Sequence, residues 1–487
     1  MSEFAVALQS DPMSLRLEDG SCVAVVGGGP AGSFFSYFLL EMAGRIGLDV
    51  GVDIYEAKSF SGCGPASCNM CGGIVSESLV QLLATEGINL PGNVVQRGID
   101  SYVLHMDVGS VRIDPPGKEK RIAAVHRGGG PRGSTGSAWG SFDGFLLGLA
   151  ASKGATVIRE RVESAAWVGG KPRLMTKKGE SPEYDLLAVA VGINGLGPKL
   201  LEGLYCQRPS GSLVGGIRGK GPQLLEDLGV AYGPPKLTKT FICELPIGAE
   251  NINRYLGTSM HVFLLNLPKL EFAAMIPKGD YVTVVMLGED IDKQLVNAFL
   301  NRAEVKRCLP PDWEIPADFC RCSPSINIRG AARPLADRVV FLGDCAENRL
   351  YKDGIGGAYR TSKAAARTVA YYGISAEDFR QHYLPVCRNL ATDNAIGKVV
   401  FATTHLIQRL RVTRRGLLRM VAAEQKSGAP AGMSSVLWDT FTGSAPYRDV
   451  FRRTLHPLFL GRFLYEIAMA AFARNGASQE RRWEQAL

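Results

Sequence analysis

No run of eighteen or more uninterrupted apolar residues occurs in the chain, so a membrane-spanning helix is not expected. Met1–Gly20 lacks a basic stretch leading into an apolar core. The expectation is therefore a chain without a secretory leader, placed in the cytoplasm or at its membrane face. There is no collagen-like glycine period and no low-complexity tract, which sets aside fibrous and disordered classes. Histidine is scarce, six in 487 residues, and none accompanies the cysteines at 63–71, so zinc is a poor match for that set. Cysteines number eleven, an odd count. A disulfide framework is not expected in such a chain, and reactive thiols or metal ligation fit better. The aromatic and glycine patterns of RNA-reading modules are missing, so no nucleic-acid partner is expected despite the net charge of +8.

Glycine, by contrast, is plentiful: 57 of 487 residues, against roughly 7% in average usage. Excess glycine without a repeat points to tight turns and close backbone–ligand approaches. The most informative group follows Cys22–Val26, a short apolar run rich in β-branched residues that reads as a buried strand. Gly27-Gly28-Gly29-Pro30-Ala31-Gly32 then fits G-x-G-x-x-G, and a helical run begins at Ser33. In such a fingerprint Gly27 permits the turn, Gly29 admits a pyrophosphate to the backbone, and Gly32 allows close helix–strand packing. The helix N-terminus supplies free N–H groups to the phosphates. A second strand, Val50–Tyr55, ends at Glu56, 24 residues after Gly32, near the spacing of a ribose-hydroxyl acceptor.

About 310 residues further on, Arg338–Asp344 is another apolar strand ending in Gly-Asp. A loop follows, then Gly354-Ile355-Gly356-Gly357-Ala358 and a helical run to Ala370. Together the two motifs resemble the FAD-dependent oxidoreductases built like p-hydroxybenzoate hydroxylase. That resemblance implies FAD as cofactor, Asp344 on the ribityl hydroxyls, and Gly354, Gly356 and Gly357 presenting N–H groups to the flavin O2 edge. A helix N-terminus there is able to stabilise the charge of reduced flavin.

Within that superfamily, Cys71-Gly72-Gly73-Ile74 looks like the C-G-G stretch of geranylgeranyl reductases, which runs beside the flavin. Phe272–Asp280, with Pro277-Lys278-Gly279, is similar to their cavity-lining strand, and Val282–Gly288 to the strand after it. The family's tryptophan position falls at Ala274 or Met275, and the halogenase tryptophan motif is absent. Ser141–Leu146 also fits, with Trp139 where the family places an FAD-contacting arginine. Arg127, ahead of the glycine-rich insertion Gly128–Gly136, is the substitute candidate. The resemblance implies reduction of C=C bonds in a long isoprenoid-type substrate by hydride from flavin N5, with Cys71 as candidate proton donor by family position. No second dinucleotide fingerprint is evident, so electrons are expected from NAD(P)H or a ferredoxin. An electron-transfer flavoprotein–quinone oxidoreductase and a flavin monooxygenase remain alternatives.

Cys63, Cys68 and Cys71 form C-x4-C-x2-C, the first three positions of a plant-type iron–sulfur spacing. A cluster there would need a fourth ligand from Cys320, Cys322 or Cys345. The competing reading is small buried residues or local redox thiols.

The whole net charge lies in residues 386–475, with thirteen Lys/Arg against five Asp/Glu. Arginines alternate there with large apolar residues, at Leu406–Val421 and Tyr447–Ala473. Such helices suit an anionic membrane surface and would admit a lipid or quinone tail, though capping helices with solvated arginine faces share the pattern. The expected architecture is α/β: a discontinuous Rossmann-like FAD domain (1–200, with a cysteine loop at 60–75, and 330–385). A mixed or antiparallel-sheet substrate domain (201–329) and a helical, membrane-facing region (386–487) complete it.

Overall fold

A computed structural model describes residues 15–115, 119–134, 139–194, 232–311, 313–427 and 432–472. Parts of the expected domains (195–231 and 473–487) and of the glycine-rich insertion (135–136) lie outside the described residues.

The first sheet has the strand order Leu335–Ala336, Val339–Phe341, Leu186–Val189, Ser21–Val26, Val50–Tyr55, Thr156–Ile158. Its pairings are parallel, save for the short hairpin at the 335–336 edge. Central strands of such a sheet are covered on both faces, which is why Cys22–Val26 reads as an apolar run rather than an alternation. On one face lies the helix Pro30–Arg45, with the helices Phe142–Ser152 and Gly354–Tyr371 against it. Phe34 and Phe38 meet Tyr359 edge-on at 5.6 Å, and the Ser362 hydroxyl donates to the Ala31 carbonyl at 2.7 Å. The other face is closed by the antiparallel strands Val162–Val168, Lys171–Thr176 and Gly179–Glu183, through Val162, Ala165 and Leu174.

The second sheet runs Cys320–Cys322, Phe241–Pro246, Tyr281–Gly288, Leu270–Lys278, Ser259–Phe263, Ser101–Met106, Gly109–Ile113. All its pairings are antiparallel except 259–263 against 101–106. The period of two along each strand divides its side chains between separate cores. Phe272, Ala274, Ile276, Val285 and Leu287 share a core with the C-terminal helices. Ala273, Met275, Val284 and Met286 face the helices Ala249–Tyr255 and Lys293–Leu300.

After Tyr371 the chain is helical, with helices Leu384–Arg409, Arg411–Ser427, Met433–Thr442, Tyr447–Thr454 and Pro457–Phe472. Trp438 is fully buried there, its ring 4.8 Å from that of Tyr102 and its indole N–H donating 2.7 Å to Glu77 Oε1. Arg349 ties the loop after Asp344 to the same helices, donating to the Gly443 carbonyl at 2.5 Å and the Ala445 carbonyl at 2.7 Å.

Candidate functional site

The glycine turn is built as its spacing requires. Gly27 has φ +106°, and a Cβ there would stand 2.8 Å from the Ala190 carbonyl carbon. A Cβ on Gly32 would fall on the Gly27 carbonyl oxygen, so this glycine is what lets the helix start against its own strand. Pro30 occupies the first helical turn, where its missing N–H is not needed. Glu56 sits at the end of the neighbouring strand and lines the cleft; its carboxylate accepts from Gly28 N at 2.9 Å and Lys58 N at 2.7 Å. The acid that the spacing assigns to a ribose therefore also braces the turn.

Opposite, Gly343 at φ +63° brings the Gly-Asp turn within 2.8 Å of Ala31 Cβ for any added methyl. Asp344 is held in the cleft wall with Asn348 donating to its carboxylate. Burial pushes the Asp344 carboxyl up, partly offset by Asn348 and by the charge of Arg127. The helix Gly354–Tyr371 begins after Asp353, which takes a left-handed φ of +52°. Gly354 and Ile355 line the cleft. Gly356 and Gly357 do not; they make room for the Asp353 carboxylate and the Asn348 amide of the preceding loop.

Arg127 is buried at the cleft and paired with Asp143, which is wholly enclosed; Nη2 stands 3.0 Å from Oδ2, and Nε bonds Oδ1. Burial opposes the guanidinium's charge, but Asp143 more than offsets it and holds its pKa above the ordinary value. Asn69 of the cysteine loop donates to the same carboxylate. Ser141 caps the helix that presents Asp143 and also donates 2.8 Å to the Arg127 carbonyl.

These groups line one cavity of about 290 Å³. At one end are Gly27, Gly29, Ala31, Glu56, Arg127, Asp344 and Gly354; at the other, Met260, Phe272, Ala274, Ile276, Val285 and Leu287. Cys71, Gly72 and Gly73 lie between them. A Cβ at Gly72 would approach Val285 Cγ2 to 3.0 Å, and one at Gly73 (φ +69°) would collide with the Val125 carbonyl oxygen. Only glycine fits at 73, while at 72 the Val285 side chain would have to give way.

A smaller cavity of about 40 Å³ shares Met70, Cys71, Arg127 and Ile242 with the first. It is lined by Cys68, Cys243, Cys320, Cys322, His126, Glu244 and Lys278. Burial raises the Glu244 carboxyl, offset in part by Lys278 and by the Thr283 hydroxyl donating to it at 2.7 Å. Burial, and then Lys278, hold His126 well below the usual imidazole range. Burial also raises the Cys68 thiol and pushes Cys322 up to about 12. The sequence reading missed Asn69, Glu244 and His126. A lone acid in the apolar strand Phe241–Pro246 was the available signal for Glu244.

Of the cysteine pattern, Cys68 and Cys71 lie beside Cys320 and Cys322 around the smaller cavity. Among the described residues, the one group of three His, Cys, Asp or Glu whose ligand atoms lie within 4.8 Å of one another is elsewhere, at His105, His261 and Cys308. Cys63 Sγ instead donates to the Gly129 carbonyl at 3.4 Å, Cys68 Sγ accepts from Met70 N at 3.2 Å, and Cys71 Sγ from Gly73 N at 3.4 Å. Ser134 Oγ also donates to Cys63 Sγ at 3.2 Å. Cys345, a suggested fourth ligand, is buried under the first sheet, bonded to the Val189 and Leu342 carbonyls.

No protein-family model and no curated protein matches the chain. Solved structures do. A flavoprotein/dehydrogenase from Cytophaga hutchinsonii aligns over 92% of this chain and 98% of its own, at 12% identity and TM-score 0.56. Halogenase PltM aligns over 92% and 94%, at 12% identity and TM-score 0.56. The p-nitrophenol 4-monooxygenase PnpA from Pseudomonas putida DLL-E4 covers 88% of this chain and all of its own, at 11% identity and TM-score 0.53. At these identities the likeness establishes the fold alone: a Rossmann-like α/β unit with a second sheet of mixed orientation and a C-terminal helical region, the expected fold class.

Proposed function

We propose that the cleft holds FAD and that the protein is an FAD-dependent oxidoreductase reducing C=C bonds of a long apolar, isoprenoid-type substrate. The observation that carries this reading is the two-ended cavity. One end offers glycine backbone, two helix N-termini, a buried carboxylate and a buried guanidinium; the other is apolar side chain. The first end suits a dinucleotide with a pyrophosphate and polyol, because backbone at Gly27, Gly29 and Gly354 and two helix N-termini line it. Bound there, FAD would supply the hydride for the reduction.

The chain's own residues would do the rest. Arg127, fixed by Asp143, keeps a permanent positive charge at the cofactor end. Phe272, Ala274, Ile276, Val285 and Leu287 exclude water and receive the apolar chain; each buried CH2 contributes about 0.8 kcal/mol. Hydride addition to C=C also requires a proton. Cys71 stands at the junction of the two cavities, and Glu244, which burial keeps toward its protonated form, lies in the second. Together they provide a route for that proton from a water-poor pocket. Electrons would enter from NAD(P)H or a ferredoxin.

The test begins with identification of the flavin released on denaturation. The protein is then reduced without oxygen and offered a prenyl lipid, a quinone or an aromatic acid separately. Reoxidation by the prenyl lipid is expected. Reoxidation only by oxygen, with hydroxylation of the aromatic acid, would replace this reading by a monooxygenase, the activity named for the Pseudomonas structure of the same fold. Reoxidation by quinone alone would make the protein an electron relay.

The proposal extends to a membrane surface. No helix among the described residues is long and apolar enough to cross a bilayer. The helix Pro457–Phe472 instead leaves Leu458 and Phe472 78% and 83% exposed, with Leu464 and Tyr465 also outside and Arg452 and Arg462 exposed nearby. An apolar face flanked by arginine suits the headgroup plane. Cosedimentation with vesicles containing anionic lipid, lost in a Leu458→Ser/Leu464→Ser/Phe472→Ser variant, is the expected result; equal recovery of both proteins would exclude it.

A further inference from the structure

Behind the apolar wall, on the opposite face of the same sheet, three side chains from distant parts of the chain converge. His105 and His261 stand on the parallel neighbours Ser101–Met106 and Ser259–Phe263. The register sets His105 opposite Phe263, so both rings emerge on one face. Cys308 follows the short helix Ala303–Lys306 packed on that face. His105 Nε2 is 2.9 Å from His261 Nδ1; Cys308 Sγ is 3.3 Å from His261 Nδ1 and 3.7 Å from His105 Nε2. All three residues are buried, at 5%, 6% and 2% exposure.

We propose that His105, His261 and Cys308 form a binding site for one soft metal ion, held by two imidazole nitrogens and one thiolate. With metal–nitrogen bonds of about 2.0–2.1 Å and a metal–sulfur bond of about 2.3 Å, ligand atoms around one ion stand roughly 3.3–3.8 Å apart. Two of the three separations fall in that range, and the third reaches it by a shift of about half an ångström. The ring orientations are already fixed from behind. His105 Nδ1 is 2.8 Å from Ser110 Oγ, and His261 is engaged by the Leu256 backbone. Such outer partners aim the remaining lone pair at a metal. Burial keeps both imidazoles neutral. Met275, the cross-strand partner of His261, adds a thioether on the same buried face.

Charge decides between ions of this class. Two neutral imidazoles and a thiolate carry −1, so Cu+ gives a neutral centre and Zn2+ leaves +1. A net charge without a partner is costly in an apolar interior. The site is therefore assigned to Cu+. Binding replaces the Cys308 S–H bond by an S–metal bond and releases one proton, with no change in oxidation state.

The experiment uses the full-length protein, titrated without oxygen with Cu+ against a coloured cuprous chelator and, separately, with Zn2+. One Cu+ per chain is expected, with one proton released and X-ray absorption reporting one sulfur and two nitrogen neighbours. Cys308→Ser and His261→Asn should each weaken binding at least a hundredfold. A Cys63→Ser/Cys68→Ser/Cys71→Ser protein should bind as the parent does. Absorption data on the parent protein keep the site testable if a variant fails to fold. Binding that survives in Cys308→Ser, or an absorption spectrum with several sulfur neighbours, would overturn the site. Tight Zn2+ binding without Cu+ binding would overturn the charge assignment. The flavin reading plays no part in either result.

Discussion

Replacing Asp143 with asparagine tests the buried pair that anchors the glycine-lined end of the cleft. Asp143 is completely enclosed and takes both the Arg127 guanidinium and the Asn69 amide. Asparagine keeps the size and removes the charge, and it turns one accepting oxygen into a donor facing two existing donors. The guanidinium cannot shed its proton. Left in place, it is a buried cation without a partner, a change that costs about 3–5 kcal/mol. Its one escape is to swing into the cleft, where it would occupy space proposed for FAD. Two readouts therefore share the loss. Urea unfolding of flavin-free Asp143→Asn, followed by tryptophan fluorescence, should show about 3–5 kcal/mol less stability. Where the arginine relaxes instead, FAD titration by fluorescence quenching should show affinity lowered by a hundredfold or more, about 2.8 kcal/mol. The double replacement Arg127→Met/Asp143→Leu removes both charges, so its stability should return to within about 1–2 kcal/mol of the parent while FAD binding stays weak. An Asp143→Asn protein that loses under about 1 kcal/mol and binds FAD as the parent does would refute the reasoning.

Gly73→Ala should cost about 3 kcal/mol or more, because a left-handed residue is forced against the Val125 carbonyl; Gly87→Ala, at φ +76° in open space, should cost only about 1–2 kcal/mol. Equal denaturation midpoints for the two proteins would contradict the tight passage at Gly73. Burial lifts the Glu347 carboxyl to about 7, against the opposing effects of the Asn348 backbone, Asn394 and Lys398. A folded pKa above the unfolded 4.5 means that the folded protein binds the extra proton. Stability should then fall as pH rises from about 4.5 to about 7, by on the order of 3 kcal/mol, and level off above that. Glu347→Gln should flatten this segment of a urea-midpoint-versus-pH curve, and an unchanged slope would assign it to other groups. Ala274→Trp should fill the apolar end of the cavity, raising KM for long substrates more than for short ones while leaving FAD affinity unchanged; a uniform loss for all lengths would count against that wall as the substrate site.

The glycine-lined end of the cleft was legible because its constraints are local. Gly27, Gly29 and Gly32 act within one turn, and the Gly343-Asp344 motif repeats the same logic. Glu56 was legible as a spacing, but its bonds to Gly28 and Lys58 required the fold. The apolar wall was only partly legible, since Phe272–Asp280 announces a strand without saying which face it turns to the cavity. The cysteine loop is a different case. C-x4-C-x2-C is a spacing rule, and spacing does not say where sulfurs point; here each of the three bonds backbone. His105, His261 and Cys308 were invisible for a different reason. Separations of 156 and 47 residues carry no local pattern, and only strand register brings the two rings together.

That register links the two halves of the molecule's chemistry. In the strands Ser259–Phe263 and Leu270–Lys278, alternate residues belong to opposite faces. Met260, Phe272, Ala274 and Ile276 line the cavity, while His261 and Met275, paired across the strands, lie behind it. A slip of one residue would exchange these sets, placing an imidazole in the apolar chamber and a cavity residue in the buried polar cluster. Both outcomes are unfavourable, since an imidazole in that wall would lose its partners Ser110, Leu256 and Cys308 or their neighbours. The His–His–Cys group therefore specifies the register of the apolar wall proposed to receive the substrate, and a metal ion bound there would strengthen the same constraint. It follows that Cys308→Ser, on the face away from the cleft, should leave FAD affinity unchanged but broaden the range of chain lengths accepted. An unaltered length preference would separate the two faces functionally and confine the metal site to a stabilising role.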